Sequence, residues 1–118
     1  MSTGSLPQPT PPEPELFRCE TSCEPQSARI LAIGELDVSA EPILSAEIEA
    51  LRGAGYRRLI VDLSRLAFID STGLRCLLDY HAEARRDGFT IDLIRGPETV
   101  QRVFELTGTL THLRFIDQ

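Results

Sequence analysis

The chain has 118 residues, 42% of them hydrophobic and 25% charged, which fits one globular domain with a modest core. Its 18 acidic and 12 basic residues give a net charge of −6, and no basic run is longer than two residues. Because a phosphate-binding surface needs clustered lysine and arginine, this balance excludes an extended nucleic-acid interface.

The first part of the chain divides into a leader and a hairpin. Residues 1–14 contain five prolines among small polar residues, so we expect a disordered leader ahead of a domain that spans residues 15–118. Residues 16–21 and 28–34 are predicted strands. The short turn around Pro25 favours their antiparallel pairing.

A helix and a buried strand follow. We expect Ser39 to cap a helix that begins near Glu41, carries apolar residues at helical spacing and ends at Gly53. Residues 59–63 form a short apolar run that is typical of a strand buried on both faces. After a bend, we expect the chain to re-enter the core at Phe68 and Ile69.

The second half of the chain continues this alternation. An amphipathic segment from Ser71 to about residue 86 predicts a helix, with Ser71 as its N-cap. Apolar and polar side chains mostly alternate over residues 89–94, which predicts a strand. Pro97 should begin a third helix, and an apolar tail from Leu110 should dock on the core. The order predicts an α/β fold, a mixed four- to five-stranded sheet with helices packed mainly on one face.

The polar junction at residues 70–73, Asp-Ser-Thr-Gly, stands between a strand and an amphipathic helix. A hydroxyl at a helix entrance lies beside free N–H groups and a partial positive charge, a place that favours anionic groups, including a phosphate. The same four residues taken alone also fit an ordinary capped helix start.

No residue set in the sequence supports catalysis. A nucleophile elbow needs glycine two residues before the serine, but Ile69 precedes Ser71 at that spacing, and no histidine lies at a convincing strand end. No glycine-rich turn ends in Lys-Ser or Lys-Thr, which excludes a nucleotide-binding P-loop. We therefore expect that the protein is not an enzyme.

The cysteines and histidines fit structural or surface roles. Three cysteines form no closed disulfide set, and neither histidine has zinc-finger spacing to Cys19 and Cys23, so we expect no metal and no cofactor. Cys76 should be a small buried residue, and His81 should lie on the exposed side of its helix. With no signal peptide and no apolar run near the roughly 20 residues that cross a bilayer, we expect a cytoplasmic protein without membrane contact.

Four blocks of sequence resemble the STAS domain of bacterial anti-sigma factor antagonists. In order they are Gly-Glu-Leu-Asp at 34–37, Leu-Ile-Val-Asp-Leu-Ser at 59–64, Phe-Ile-Asp-Ser-Thr-Gly-Leu at 68–74 and Val-Phe-Glu-Leu-Thr-Gly at 103–108. The resemblance covers about residues 16–117. The Asp-Ser-Thr-Gly block alone is a weak signal, whereas all four blocks in this order are a specific one.

The resemblance implies a phosphorylation switch. In this family the phosphorylated serine directly follows the motif aspartate, which places it at Ser71, with Thr72 as second choice. The implied partner is an anti-sigma factor that is also a serine kinase: the unphosphorylated protein binds it and frees a sigma factor, and phosphorylation reverses this. The implied partner-binding residues are Asp37, Asp70, Ser71, Thr72, Gly73, Leu74 and Arg75.

Two points stay open at this stage. Arg75 departs from the family pattern, since many relatives carry a small residue there, which would alter how closely a partner approaches the helix. STAS modules also serve as non-catalytic subunits of lipid-transport or stress-signalling complexes, which is the alternative function. The sequence is compatible with a weak homodimer.

Overall fold

The computed structural model describes residues 16–117, so the predicted leader at residues 1–14 lies outside the described residues. In chain order the elements are β1 (Arg18–Cys23), β2 (Ser27–Leu36), α1 (Glu41–Gly53), β3 (Arg58–Ile69), α2 (Ser71–Asp87), β4 (Thr90–Ile94), α3 (Glu98–Leu106), a 3₁₀ turn (Leu110–His112) and β5 (Phe115–Ile116). None of the helices within residues 16–117 combines the length and the apolar character needed to span a bilayer.

The five strands form one mixed sheet in the order β1-β2-β3-β4-β5. β1 pairs with β2 antiparallel, and the other neighbouring pairs are parallel, which confirms the predicted hairpin and the α/β class. Leu36 at the end of β2 is in register with Ile69 at the end of β3. The chain segments that leave these two strands therefore start side by side at one edge of the sheet.

The helices bury one apolar stripe each against the sheet. In α1 this stripe is Leu44, Ile48 and Leu51, spaced four and three residues apart as an amphipathic helix requires. Phe104 of α3 is fully buried and meets Phe115 of β5 edge to face, with ring centroids 5.4 Å apart. The apolar tail therefore docks on the core as expected, and it adds the fifth strand.

β3 differs from the prediction, because the strand does not end near Leu63 but continues to Ile69. Its pairing with β2 shifts register twice, between Leu31 and Ile33 and between Gly34 and Glu35 of β2. An extra residue in a strand turns the following side chains to new directions. Phe68 is consequently 48% exposed, so the expectation that it re-enters the core is wrong, whereas Ile69 is buried as expected.

An ion pair with one buried member lies on the side of the sheet away from the core. Asp62 alternates along β3 with the core residues Val61 and Leu63, and its carboxylate accepts hydrogen bonds from Arg29 Nη2 at 2.5 Å and Arg29 Nε at 3.2 Å. It also accepts from the backbone N–H of Ser64 at 2.9 Å. Burial raises the pKa of Asp62, but the hydrogen bonds from Arg29 and Ser64 outweigh burial and hold this pKa below its ordinary value.

We expect Asp62→Asn to lower the free energy of unfolding by about 1–2 kcal/mol at neutral pH, because a neutral amide loses the charge-assisted bonds to Arg29. The folded-state pKa of Asp62 is lower than the unfolded one, so the carboxylate stabilises the fold above about pH 4 and this contribution is lost as the pH falls through the folded-state pKa. Urea unfolding from neutral to acidic pH measures the difference. The difference in unfolding free energy between Asp62→Asn and the wild type should shrink as the pH falls. A difference that stays constant with pH would contradict this account. Asp79→Asn is the control, since Asp79 is exposed.

Candidate functional site

The polar junction begins α2 directly where β3 ends. Asp70 has an extended backbone (φ −108°, ψ −173°), and its Oδ1 accepts a hydrogen bond from the Gly73 N–H at 3.0 Å, so Asp70 is the N-cap of α2. The prediction that Ser71 caps this helix is wrong, since Ser71 already occupies the first helical position. Ser71 is exposed, and its hydroxyl makes no hydrogen bond within residues 16–117.

The chain leaving β2 forms the other half of the site. The Asp37 carboxylate accepts hydrogen bonds from the Ser39 hydroxyl at 2.8 Å, the Ser39 N–H at 3.0 Å and the Ala40 N–H at 3.1 Å. The bond from the Ser39 hydroxyl is the main cause that holds the pKa of Asp37 below its usual value. Ser39 therefore does not cap α1 as expected: the N-cap is Ala40, and the Asp37 carboxylate accepts from the N–H groups of Ser39 and of Ala40 itself.

The two junctions are joined at Leu36. Its carbonyl accepts a hydrogen bond from the Asp70 N–H at 3.2 Å. A Cβ added at Gly73 would overlap the same carbonyl oxygen and lie 2.8 Å from Leu36 Cγ and 3.0 Å from Ile69 Cγ1. Only glycine therefore lets the first turn of α2 approach the end of β2 this closely.

The structure brings the seven predicted partner-binding residues to one edge of the sheet, but at different depths. Ser71 and Arg75 are exposed, whereas Asp37, Asp70 and Thr72 are half-buried. Gly73 and Leu74 are buried, so their side of the helix faces the fold. The role of each in binding a partner stays a prediction.

Exposed apolar side chains flank the two junctions, and sequence reasoning missed them. Val38 follows Asp37 and is 70% exposed, and Phe68, two residues before Asp70, is 48% exposed. Ile43 in the first turn of α1 is also exposed. Val38 was recognisable as an apolar residue between two polar loop residues, but nothing local in the sequence signals the register shift that exposes Phe68.

Arg75 is the cation beside Ser71. Residues four apart on a helix are neighbours on its surface, so Arg75 lies one turn beyond Ser71 on the same side of α2. It makes no ion pair with any other residue that the structure describes. Arg75 and Thr72 both line a cavity of about 300 Å³, together with Ser45 and Tyr80, in the groove between α1 and α2.

The remaining candidate residues have structural or undecided roles. Cys76 is buried as predicted, and burial raises the pKa of its thiol to about 11, so it stays protonated at neutral pH. His81 is half-buried, and its Nδ1 is closed off from solvent, so the expectation that it lies on the exposed side of α2 is wrong. Among residues 16–117 no three His, Cys, Asp or Glu side chains converge on a metal site.

Comparison with known proteins gives consistent matches over most of the chain. A family-wide sequence profile described as "Mlab, STAS domain" matches residues 19–114. The chain is 27% identical over 89 residues to the anti-sigma-B factor antagonist of Staphylococcus aureus, covering 75% of this chain and 82% of that protein. It is 25% identical to the anti-sigma factor antagonist SpoIIAA in its unphosphorylated form, with a TM-score of 0.69 over 87% of this chain and 88% of that one.

The phosphorylated form of the same Bacillus protein, SpoIIAA, also matches, with a TM-score of 0.64 at 25% identity over 87% of this chain and 91% of that one. The proteins in these matches are regulators, in agreement with the expectation that the chain is not an enzyme.

We expect Gly73→Ala to lower the free energy of unfolding by about 1–3 kcal/mol, because the new Cβ forces α2 away from the Leu36 carbonyl. This loss should exceed the gain of up to about 1 kcal/mol that alanine brings within a helix. Gly53→Ala in α1 is the matched control, since a Cβ there meets no atom within 4 Å and should be neutral or stabilising. Equal unfolding midpoints in urea for the two variants would contradict the close approach.

Proposed function

The chain belongs to the STAS domain family and groups with its anti-sigma factor antagonists, and from this premise we propose that phosphorylation of Ser71 switches its binding to an anti-sigma factor. The observation that carries the proposal is the exposed Ser71 hydroxyl at the start of α2, which makes no hydrogen bond within residues 16–117 and follows the exposed Phe68 by three residues. The existence of SpoIIAA in both phosphorylated and unphosphorylated forms supports a modification of this kind.

The proposed partner is an anti-sigma factor that is itself a serine kinase. Unphosphorylated, this protein occupies the partner and frees a sigma factor in the cytoplasm; transfer of the γ-phosphoryl group of ATP to the Ser71 oxygen ends the complex. Ser71 is preferred over Thr72 because the serine is exposed, whereas the threonine is half-buried in the groove between α1 and α2. A weak homodimer stays a prediction.

The energetics explain how one modification ends binding without unfolding the protein. A phosphoserine adds about −1.5 to −2 charges, which the partial positive charge at the start of α2 tolerates. In the complex the new charge, beside the Asp70 carboxylate, would have to lose its water against a partner surface that fits a neutral hydroxyl. A loss of about 3 kcal/mol weakens binding more than a hundredfold.

Arg75 gives the switch a second component. Before phosphorylation its guanidinium, without an ion pair among residues 16–117, is available to an acidic group of the partner. After phosphorylation, Ser71 one turn away carries a dianion that competes for the same guanidinium. The modification then both adds a repulsive charge and withdraws an attractive one.

The alternative is a non-catalytic STAS subunit of a lipid-transport or stress-signalling complex, and the "Mlab" description of the matching profile is the observation in its favour. Such a subunit would hold its partner whether or not Ser71 carries a phosphate. A gene for a kinase-type anti-sigma factor beside this one favours the switch, and neighbouring transporter genes favour the subunit.

We expect Ser71→Asp and Ser71→Glu to weaken binding to the anti-sigma factor kinase more than a hundredfold, because each places a carboxylate in the docking surface. Ser71→Ala should bind like the wild type. Ser22→Asp is the control, since it adds the same charge at an exposed position of β1, far along the sheet from this site. Isothermal titration calorimetry measures the affinities. Equal affinity for all variants would contradict the switch and favour the alternative function, a non-catalytic subunit.

The same partner with ATP should phosphorylate the wild-type chain, and mass spectrometry should locate the phosphate on Ser71. The Ser71→Ala variant should then accept none. Phosphate found on Thr72 would move the assignment by one residue. Phosphate found only outside residues 70–73 would contradict the proposed site.

We expect Phe68→Ser and Val38→Ser each to weaken binding about tenfold or more, since an apolar side chain buried at an interface contributes on this scale. The stability of Val38→Ser should stay close to that of the wild type, because Val38 is 70% exposed, whereas Phe68→Ser should lower the free energy of unfolding by about 1–2 kcal/mol, because about half of that side chain is buried. Leu106→Ser is the matched control: this leucine of α3 is 78% exposed and lies outside the site. Equal losses for all three variants would show that no specific apolar surface surrounds Ser71.

A further inference from the structure

A separate cleft lies toward the far end of α2 from Ser71, between that helix and the 3₁₀ turn. Its volume is about 660 Å³. We call it the histidine cleft, and its lining includes Leu78, His81, Ala82, Arg85, Thr109 and His112. His81 lies ten residues beyond Ser71, about 15 Å along the helix axis, so the cleft is distinct from the phosphorylation site.

The polar residues that line the histidine cleft can all donate hydrogen bonds, and none of them is acidic. Both histidines of the chain line it, together with two arginines and a threonine hydroxyl, and no acidic side chain belongs to its lining. Arg85 makes no ion pair within the part of the chain that the structure describes. Arg86 Nη2 lies 4.0 Å from Glu83 Oε1 in an exposed ion pair, which neutralises little of the charge of Arg86. In a chain with a net charge of −6, this cleft is a local positive region.

The His81 ring has hydrogen-bonding capacity that the protein does not use. Its Nδ1 is buried and has no hydrogen-bond partner among the described residues. Because this atom is closed off from solvent, His81 lines the cleft with the rest of its ring, and the groups that can reach a ligand there are Arg85 and His112. Leu78 and Ala82 add an apolar wall next to the same ring.

We propose that the histidine cleft binds a small organic anion. Arg85 and His112 hold its carboxylate or phosphate group, since guanidinium and imidazole groups donate to both, and its apolar body packs on Leu78 and Ala82. The volume lies within the roughly 300–1,000 Å³ of sites that enclose small molecules. The site needs no phosphorylation and goes beyond the proposed switch.

A nuclear magnetic resonance titration of the full chain tests this site with three probes: phenyl phosphate, benzoate and the neutral benzamide. We expect both anions to give saturable shifts of the backbone amides of residues 78–86 and 109–113. Benzamide should bind at least tenfold more weakly, because it lacks the charge that Arg85 recognises. Absence of a saturable shift for both anions up to on the order of 10 mM would overturn the proposal.

Variants locate the anion. Arg85→Gln and His112→Gln should each weaken phenyl phosphate or benzoate binding at least tenfold, while Arg102→Gln, an exposed arginine of α3 outside the cleft, should leave it unchanged. Ser71→Asp should also leave it unchanged, which separates this site from the switch. An equal loss in Arg102→Gln, equal affinity for benzamide, or binding of a tetraglutamate peptide while neither small anion binds would each overturn the proposal.

Discussion

The first turn of α2 lies so close to the carboxyl end of β2 that residue 73 has no room for a side chain. This approach is fixed by the hydrogen bond from the Asp70 N–H to the Leu36 carbonyl, and by the parallel register of Leu36 with Ile69. Because the backbone is held here, the N-cap of the helix and the turn after β2 have fixed places relative to each other. The position of Ser71 on the surface follows from these backbone contacts, since its own hydroxyl makes no hydrogen bond within residues 16–117.

Around this fixed edge the protein combines two opposite surface properties. The carboxylates of Asp37 and Asp70 are both engaged in holding backbone N–H groups, so their charges serve the local structure first. The exposed apolar side chains of Val38 and Phe68 supply area that a partner can remove from water. If Ser71 is phosphorylated as proposed, the dianion would change the character of this surface more than it would change the fold.

The sequence predicted the order of elements and the place of Ser71 at the entrance of α2, because alternation and helical spacing are local patterns, and the resemblance implied that Ser71 is phosphorylated. The predictions from sequence that were wrong failed for physical reasons. The N-cap of α2 is Asp70, one residue before the predicted Ser71. Aspartate and serine are both good N-cap residues, and only the backbone angles decide between them. Phe68 was placed in the core because its exposure depends on extra residues in β3 relative to β2, and such a register shift involves two strands at once. The histidine cleft joins residues of α2 to a turn about 25 positions later, which periodicity cannot reveal.

The edge that presents Ser71 is assembled from two segments 33 positions apart in the chain, one ending with Asp37 and one with Asp70, and only the pairing of β2 with β3 brings them together. A short peptide that copies the serine segment would carry the hydroxyl but neither Val38 nor the turn beside it. A kinase that reads both segments thus discriminates folded molecules from unfolded ones. Modification of Ser71 by such a kinase would then require that the sheet has formed, and a nascent or damaged copy would stay unmodified.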